Sequence, residues 1–212
     1  MKLGELKIET LMLIFPSISI DVDTDSEEEL REALDTLKND SNYCDYLSAM
    51  TGAINRCFTS LEGKGILPLR AFALSRHEFT ERQKMLCVDI KDKLNGKVER
   101  LAFRNENESN DNCNFSFEGD NLLIVDDHGE GVYTIVYEPS IQRIKNITGA
   151  NYKIDLPDNI TSLMPYFVKS EVIRTDDSDE ASAARSLYEK GIAELVNNRY
   201  GYSGGVESIF KM

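Results

Sequence analysis

Apolar residues recur at helical spacing through the first third of the chain. Steps of three and four residues separate Leu47, Met50, Ile54, Phe58 and Leu61, so all five lie on one face of a helix. A similar face is formed by Leu30, Ala33, Leu34 and Leu37. It follows Ser26-Glu27-Glu28-Glu29, a capping box that favours a helix start. An earlier apolar face, with Gly4, Ile8, Leu11, Met12 and Phe15, ends at Pro16. The pattern predicts that the first 63 residues are helical.

The hydrophobic period changes to two residues at about Lys84, which indicates strands. Asn95-Gly96 favours a tight hairpin turn, because both residue types accept a positive φ. Strands are predicted over 84–94, 97–104, 114–118, 122–126 and 132–137, with turns at 119–120 and 128–131. The pattern predicts an antiparallel β-meander of about five strands.

Helical spacing returns after Pro139. An apolar stripe from Ile160 to Val172 contains Pro165 in its early part, where a missing N–H costs little. A last helix starts near Ser178 and ends by Asn198. The glycine-rich segment that follows is a poor helix former, and we predict an extended arm there. Its candidate partner-binding residues are Tyr200, Tyr202, Val206, Ile209, Phe210 and Met212.

These elements predict an α+β fold. N- and C-terminal helices form a bundle into which an antiparallel β-meander of about five strands is inserted, followed by an extended C-terminal arm. The predicted boundaries are 1–83 for the N-terminal helical part, 84–139 for the β-rich insertion, 140–198 for the C-terminal helices and 199–212 for the arm.

Charge is unevenly distributed along the sequence. The chain has 24 Lys and Arg against 37 Asp and Glu, a net charge of −13, which disfavours general binding to nucleic acid. Residues 64–104 nevertheless carry ten bases and five acids. Within this basic segment, Arg70, Arg76, Arg82 and Lys84 are candidates for contact with an acidic neighbouring subunit. The longest apolar run, Leu11 to Phe15, is too short to cross a bilayer, and we expect a protein that is neither membrane-bound nor exported.

The sequence contains no motif typical of an active site. Asp126-Asp127-His128 is the best candidate for a metal site or a metal-dependent hydrolase, but Asp and Gly are also ordinary turn residues. Asp21, Asp23, Asp25 and Glu32 have calcium-loop spacing, although Ser26 occupies the position where that loop needs glycine. The four cysteines form no CxxC pair and are expected to be free thiols. We therefore predict no enzyme activity, no catalytic or metal-binding residue and no cofactor.

Several stretches together resemble the head–tail adaptor, or connector, proteins of tailed bacteriophages. The early helices are represented by Tyr46 to Met50, Ile54 to Phe58 and then Ile66-Leu67-Pro68. Further along, Tyr133 to Pro139 resembles the strand that leads to a Leu-Pro helix start, here Leu156-Pro157, and then to 163–171. An Ala-rich final helix, 180–196, completes the order of elements.

The resemblance implies a structural virion protein that forms a dodecameric ring between the capsid portal and the tail. Such rings extend the DNA channel, and their C-terminal arms commonly dock on the portal. Expected partners are therefore other copies of the chain, the portal protein and a downstream tail or neck protein. DNA passes through without specific binding. The expected location is the virion, with the host cytoplasm during assembly.

A function of another class remains open on the residues alone. The chain is alternatively a cytoplasmic interaction or regulatory module whose β-rich domain binds a peptide or a small ligand. A large ring would distinguish the adaptor from this module, which would remain a small oligomer without affinity for a portal.

Overall fold

The computed structural model of the chain describes residues 1–18, 20, 22 and 26–201. The chain divides into two compact units. The helical unit comprises Met1–Ile66 and Ile141–Met212, and the strand unit comprises Leu67–Ser140. This arrangement is the predicted α+β fold, with helices on both sides of a strand-rich insertion.

The helices of the helical unit pack around its fifth helix. They are α1 (Leu3–Ile14), α2 (Glu27–Asn39), α3 (Cys44–Leu61), α4 (Asp158–Thr161), α5 (Met164–Val172) and α6 (Ser178–Gly201). Helix α5 contacts α1, α3 and α6, while α2 packs against α1 and α3. In the described part of the chain, no helix combines the length and the apolarity that a bilayer crossing requires.

The predicted helical faces largely correspond to the buried ones. All five apolar residues predicted to face inward on α3 are buried, and so are Leu30, Leu34 and Leu37 on α2. The Ser26 side chain accepts a hydrogen bond from the Glu29 backbone N–H, as the capping motif predicts. Met12 departs from its predicted place, because its side chain is 38% exposed.

The C-terminal helix is longer than predicted. Helix α6 continues to Gly201, so residues 199–201 are helical and do not belong to an extended arm. The two residues after Asn198 precede the first glycine of the segment, and extending an existing helix over them fixes few further dihedral angles. The side chain of Tyr200 and residues 202–212, which include the other five predicted arm residues, lie outside the described part.

The strand unit contains two four-stranded antiparallel sheets. Its strands are β1 (Arg70–Ser75), β2 (Thr80–Arg82), β3 (Met85–Asp89), β4 (Gly96–Arg104), β5 (Ser109–Asn110), β6 (Phe115–Glu118), β7 (Leu122–Asp126) and β8 (Val132–Pro139). The strand order is β1-β8-β4-β5 in one sheet and β2-β3-β7-β6 in the other.

Both sheets contribute to one hydrophobic cluster. Leu101, Tyr133 and Ile135 come from the first sheet, and Leu123 and Val125 come from the second; all five are fully buried. The register of β4 against β8 shifts between Val98 and Arg100. This bulge lets Val98 and Leu101, three residues apart, both point into the core, which a regular strand with its period of two does not allow.

The predicted single meander is wrong in its strand pairing, because the strands form two sheets. The segments on either side of Asn95-Gly96 do not pair, because β3 pairs with β2 and β7 while β4 pairs with β8 and β5. The prediction relied on a local turn signal, and the long-range pairing of β4 with β8 overrides it. By contrast, β6 and β7 do form a hairpin across the predicted turn at 119–120.

The insertion also begins earlier than predicted. Strands β1 and β2 precede Lys84, and the strand unit starts at Leu67. Strand β1 obtains its hydrogen bonds from β8, about sixty residues later in the chain, so a local period does not reveal it.

Candidate functional site

The predicted basic segment is largely neutralised within the strand unit. Arg76 forms a double hydrogen bond with Asp127, with Nη2–Oδ2 at 2.6 Å and Nε–Oδ1 at 3.2 Å. This guanidinium lowers the pKa of the Asp127 carboxyl group. Arg82 Nη1 lies 2.7 Å from Glu118 Oε2. The two arginines are therefore matched by acids of their own unit.

The other two candidate residues, Arg70 and Lys84, lie at or next to the ends of short strands. Arg70 is the first residue of β1, where its side chain is exposed. Lys84 follows Gln83 in the β2–β3 turn, and both have a positive φ, 69° and 52°. The four cations thus share the strand unit, which as a whole carries nine Lys and Arg against fourteen Asp and Glu.

The Asp126-Asp127-His128 sequence forms a turn between the two sheets. Asp127 Oδ1 also accepts a hydrogen bond from the Gly129 N–H, and the His128 ring stacks on Phe103. The described residues contain no group of three or more His, Cys, Asp or Glu placed to hold a metal ion. Of the calcium-like residues, Asp21, Asp23 and Asp25 lie outside the described part, and Glu32 is an exposed residue of α2.

All four cysteines are free. Cys57, Cys87 and Cys113 are buried and Cys44 is half-buried. Burial raises the pKa of the Cys57 thiol to about 12, so it stays protonated at neutral pH. The thiols therefore serve as packing groups, consistent with the expectation from their spacing.

A pocket that the sequence analysis did not predict lies within the helical unit. Its volume is about 540 Å³, which falls in the range of small-molecule sites. Helix α1 contributes Leu3 and Lys7, and α2 contributes Arg31 with the residues that follow it on the same face. Helix α3 and the loop 146–150 complete the wall. The full lining is Leu3, Lys7, Arg31, Leu34, Asp35, Lys38, Leu47, Ser48, Thr51, Asn146, Ile147, Thr148, Gly149 and Ala150.

The pocket is basic although the protein is acidic. Three cations, Lys7, Arg31 and Lys38, line it against a single acid among the described lining residues, Asp35. Lys38 Nζ lies 3.6 Å from Asp35 Oδ1, with both side chains more than half exposed. Lys7 makes no hydrogen bond or ion pair with another described residue. Its burial and the nearby charge of Lys38 lower the pKa of its ammonium group.

Polar groups that donate hydrogen bonds alternate with the cations. Thr51 is 8% exposed, and its hydroxyl makes no hydrogen bond with another described residue. The Thr148 hydroxyl accepts from the Lys145 N–H at 2.8 Å, which leaves its proton available. The Asn146 amide is exposed on the same loop. The pocket thus presents hydroxyl and amide donors beside its three cations, with Asp35 as its carboxylate among the described lining residues.

Helix geometry explains this clustering of cations. Arg31 and Lys38 are seven residues apart, two turns of α2, so they lie on one face with Asp35 between them. Packing of α1 against α2 brings Lys7 to the same place. The seven-residue spacing of Arg31 and Lys38 is visible in the sequence. The net charge of residues 1–63, which contain thirteen acids and five bases, does not reveal this local pair of cations.

Neither protein-family models nor curated protein sequences match the chain. The order of elements, the charges and the pocket are therefore the basis for any functional assignment.

Proposed function

We propose that the protein is a head–tail adaptor that forms a ring between the portal and the tail of a bacteriophage. The observation that carries the proposal is the order of the elements. Helices α1 to α3 come first, the strand unit is inserted, and the chain returns to the helical unit at Ile141, before a Leu-Pro helix start at α4.

Most of the stretches that resemble the adaptors lie in helices or strands, which supports the proposal. Residues 46–58 lie in α3, and the Ile66-Leu67-Pro68 stretch stands at the boundary between the two units. Tyr133 to Pro139 is the greater part of β8, and Pro157 is the N-cap of α4. The final helix α6 has 24 residues and includes the whole Ala-rich stretch. This agreement supports the proposal without identifying a relative.

The charge of the chain fits a DNA conduit. A net charge of −13 repels phosphates, so the duplex would slide through a ring of such subunits instead of adhering to it. In this proposal the protein is located in the virion, at the head–tail interface, after assembly in the host cytoplasm.

The contacts of the ring are part of the proposal. The arm residues Tyr202, Val206, Ile209 and Phe210, with Tyr200 and Met212, would bind the portal. Of the four candidate cations, Lys84 forms no ion pair with another described residue and is exposed, so it is available to an acidic neighbour. Arg76 and Arg82 would first have to exchange their own partners, Asp127 and Glu118.

Native mass spectrometry and cryo-electron microscopy test this proposal. We expect the full chain, alone or mixed with a portal protein from the same virus, to form a closed dodecameric ring around an open channel. A chain lacking residues 202–212 serves as the matched variant, and it should lose attachment to the portal while its helical circular dichroism is kept.

A monomer or dimer that does not bind the portal protein would contradict the adaptor proposal. The same result would favour the alternative, an interaction module with a small ligand or a peptide as its partner. A ring that binds the portal equally well without residues 202–212 would keep the adaptor and reject the arm as its docking segment.

A further inference from the structure

We propose that the basic pocket of the helical unit binds a small organic phosphate monoester. Its phosphate would lie among Lys7, Arg31 and Lys38, and its organic part would cover the apolar floor. This site is independent of the adaptor proposal, because it uses the surface of one helical unit alone.

The local charge argues for a doubly charged anion. The helical unit carries fifteen Lys and Arg against twenty-three Asp and Glu, yet its pocket has three cations and one acid. Clustering like charges has an energetic cost, since each cation repels the others and disfavours their charged forms. A dianionic phosphate would remove that cost, because three cations and one acid leave a local charge of about two.

The polar donors argue for oxygen acceptors on the ligand. The Thr51 residue is more than nine-tenths buried, but its oxygen is not among the fully buried polar atoms that lack a partner, so its hydroxyl is open to a ligand in the pocket. The Ser48 hydroxyl donates its proton to the Cys44 carbonyl at 2.7 Å, but Thr148 brings a second hydroxyl with an available proton to the lining. A phosphate has enough oxygen acceptors to receive hydrogen bonds from these groups and from the cations together.

The apolar floor argues against an inorganic ion alone. Leu3, Leu34 and Leu47 line the pocket and are at most 4% exposed. On the rim, Ile147 is 90% exposed. An inorganic phosphate would leave most of a 540 Å³ space to water. An organic group would fill that space and gain free energy mainly by covering Ile147, because the three leucines are already buried.

The shape and the total charge argue against a nucleic acid. Duplex DNA needs an extended row of phosphate contacts, but the three cations are confined to one pocket. The net charge of −13 repels a polyanion along the whole surface, while a small ligand interacts mainly with the pocket because salt screens distant charges.

Titration calorimetry with the full chain tests the proposal. The probes are adenosine monophosphate, adenosine, inorganic phosphate and a short DNA duplex. We expect the monophosphate to bind, adenosine and inorganic phosphate each to bind at least tenfold more weakly, and the duplex not to compete. Arg31→Ala and Lys38→Ala should each weaken monophosphate binding about tenfold, since each removes a charge-assisted interaction.

Two further variants separate binding from folding. Lys7→Met keeps the aliphatic stem and removes the charge, and we expect the same loss of affinity with unchanged circular dichroism. Lys190→Ala removes an exposed cation of α6 outside the pocket lining and should leave the affinity unchanged. Arg31 and Lys38 are both exposed residues of α2, so folding should survive their replacement.

Three results would overturn the proposal. The first is no monophosphate binding at millimolar concentration. The second is binding that Arg31→Ala, Lys38→Ala and Lys190→Ala weaken equally, which would indicate a nonspecific charge effect. The third is duplex binding that depends on the same three cations, which would make the pocket part of a nucleic-acid surface. None of these results bears on ring formation, so the two proposals fail separately.

Discussion

Lys169 occupies an unusual position for a charged residue. It lies on α5 and is only 8% exposed. Its ammonium group donates to the Leu13 carbonyl of α1 and to Glu180 Oε1 of α6, both at 2.6 Å. Leu13 is in the last turn of α1, where carbonyls lack partners within the helix. One side chain thus connects three helices and satisfies a group that the fold would otherwise leave unpaired.

Replacing Lys169 by Met should therefore destabilise the helical unit. Methionine keeps the packing of the stem, and the loss of the two hydrogen bonds should lower the free energy of unfolding by about 1–3 kcal/mol. Urea denaturation followed by circular dichroism measures the change. The control is Lys190→Met on exposed α6 surface, for which we expect a change within about 0.5 kcal/mol. Equal stability of both variants would show that the buried ammonium contributes nothing.

At the level of elements, the start of β4 depends on a glycine. Gly96 pairs with Pro139 of β8, and a Cβ atom on Gly96 would clash with the Glu138 carbonyl oxygen. Gly96 does not have a positive φ, so its role is close backbone approach and not the turn that the sequence suggests. The same residue that signalled a hairpin thus allows β4 to join the opposite sheet.

Gly96→Ala should consequently weaken the strand unit by about 1–3 kcal/mol, the usual cost of forcing a methyl group into a packed site. Thermal unfolding of the full chain, followed by near-ultraviolet circular dichroism, to which Tyr133 and Tyr137 of β8 contribute with the other tyrosines, reports the change. Gly119→Asn is the matched control in the β6–β7 turn. It has open space around it and a φ of 67°, which Asn tolerates. If both variants have the same melting temperature as the parent protein, β4 does not need the close backbone approach at Gly96.

Helix α3 was predictable because its burial follows one local period, and the β6–β7 hairpin because its turn lies between its own strands. The pairing of β1 with β8 was not, because the partners are about sixty residues apart. The basic pocket combines residues from three helices and a loop, so a sum of charges over a sequence window does not detect it.

At the scale of the whole molecule, the two ends of the insertion are connected within the helical unit. Glu62, just after α3, accepts a hydrogen bond from the Ile141 N–H at 2.8 Å, and its other oxygen lies 2.6 Å from Arg143 Nη2. Asn55 of α3 exchanges two hydrogen bonds with the Ile144 backbone, at 2.9 and 3.0 Å. The chain therefore leaves the helical unit and returns to it beside the same helix.

The last prediction follows from these contacts. Because Glu62 and Asn55 hold the returning chain next to α3, replacing residues 67–140 by a short Gly/Ser linker closes only a short gap, and loop closure of that length costs little free energy. We expect the shortened protein to retain its helical circular dichroism and cooperative unfolding. It should also bind adenosine monophosphate as the full chain does, if the phosphate proposal holds, since every residue lining the pocket belongs to the helical unit. Glu62→Ala in the shortened protein is the sensitive variant and should lower its melting temperature. Loss of helical signal on removal of 67–140 would instead show that the helices require the strand unit for their stability.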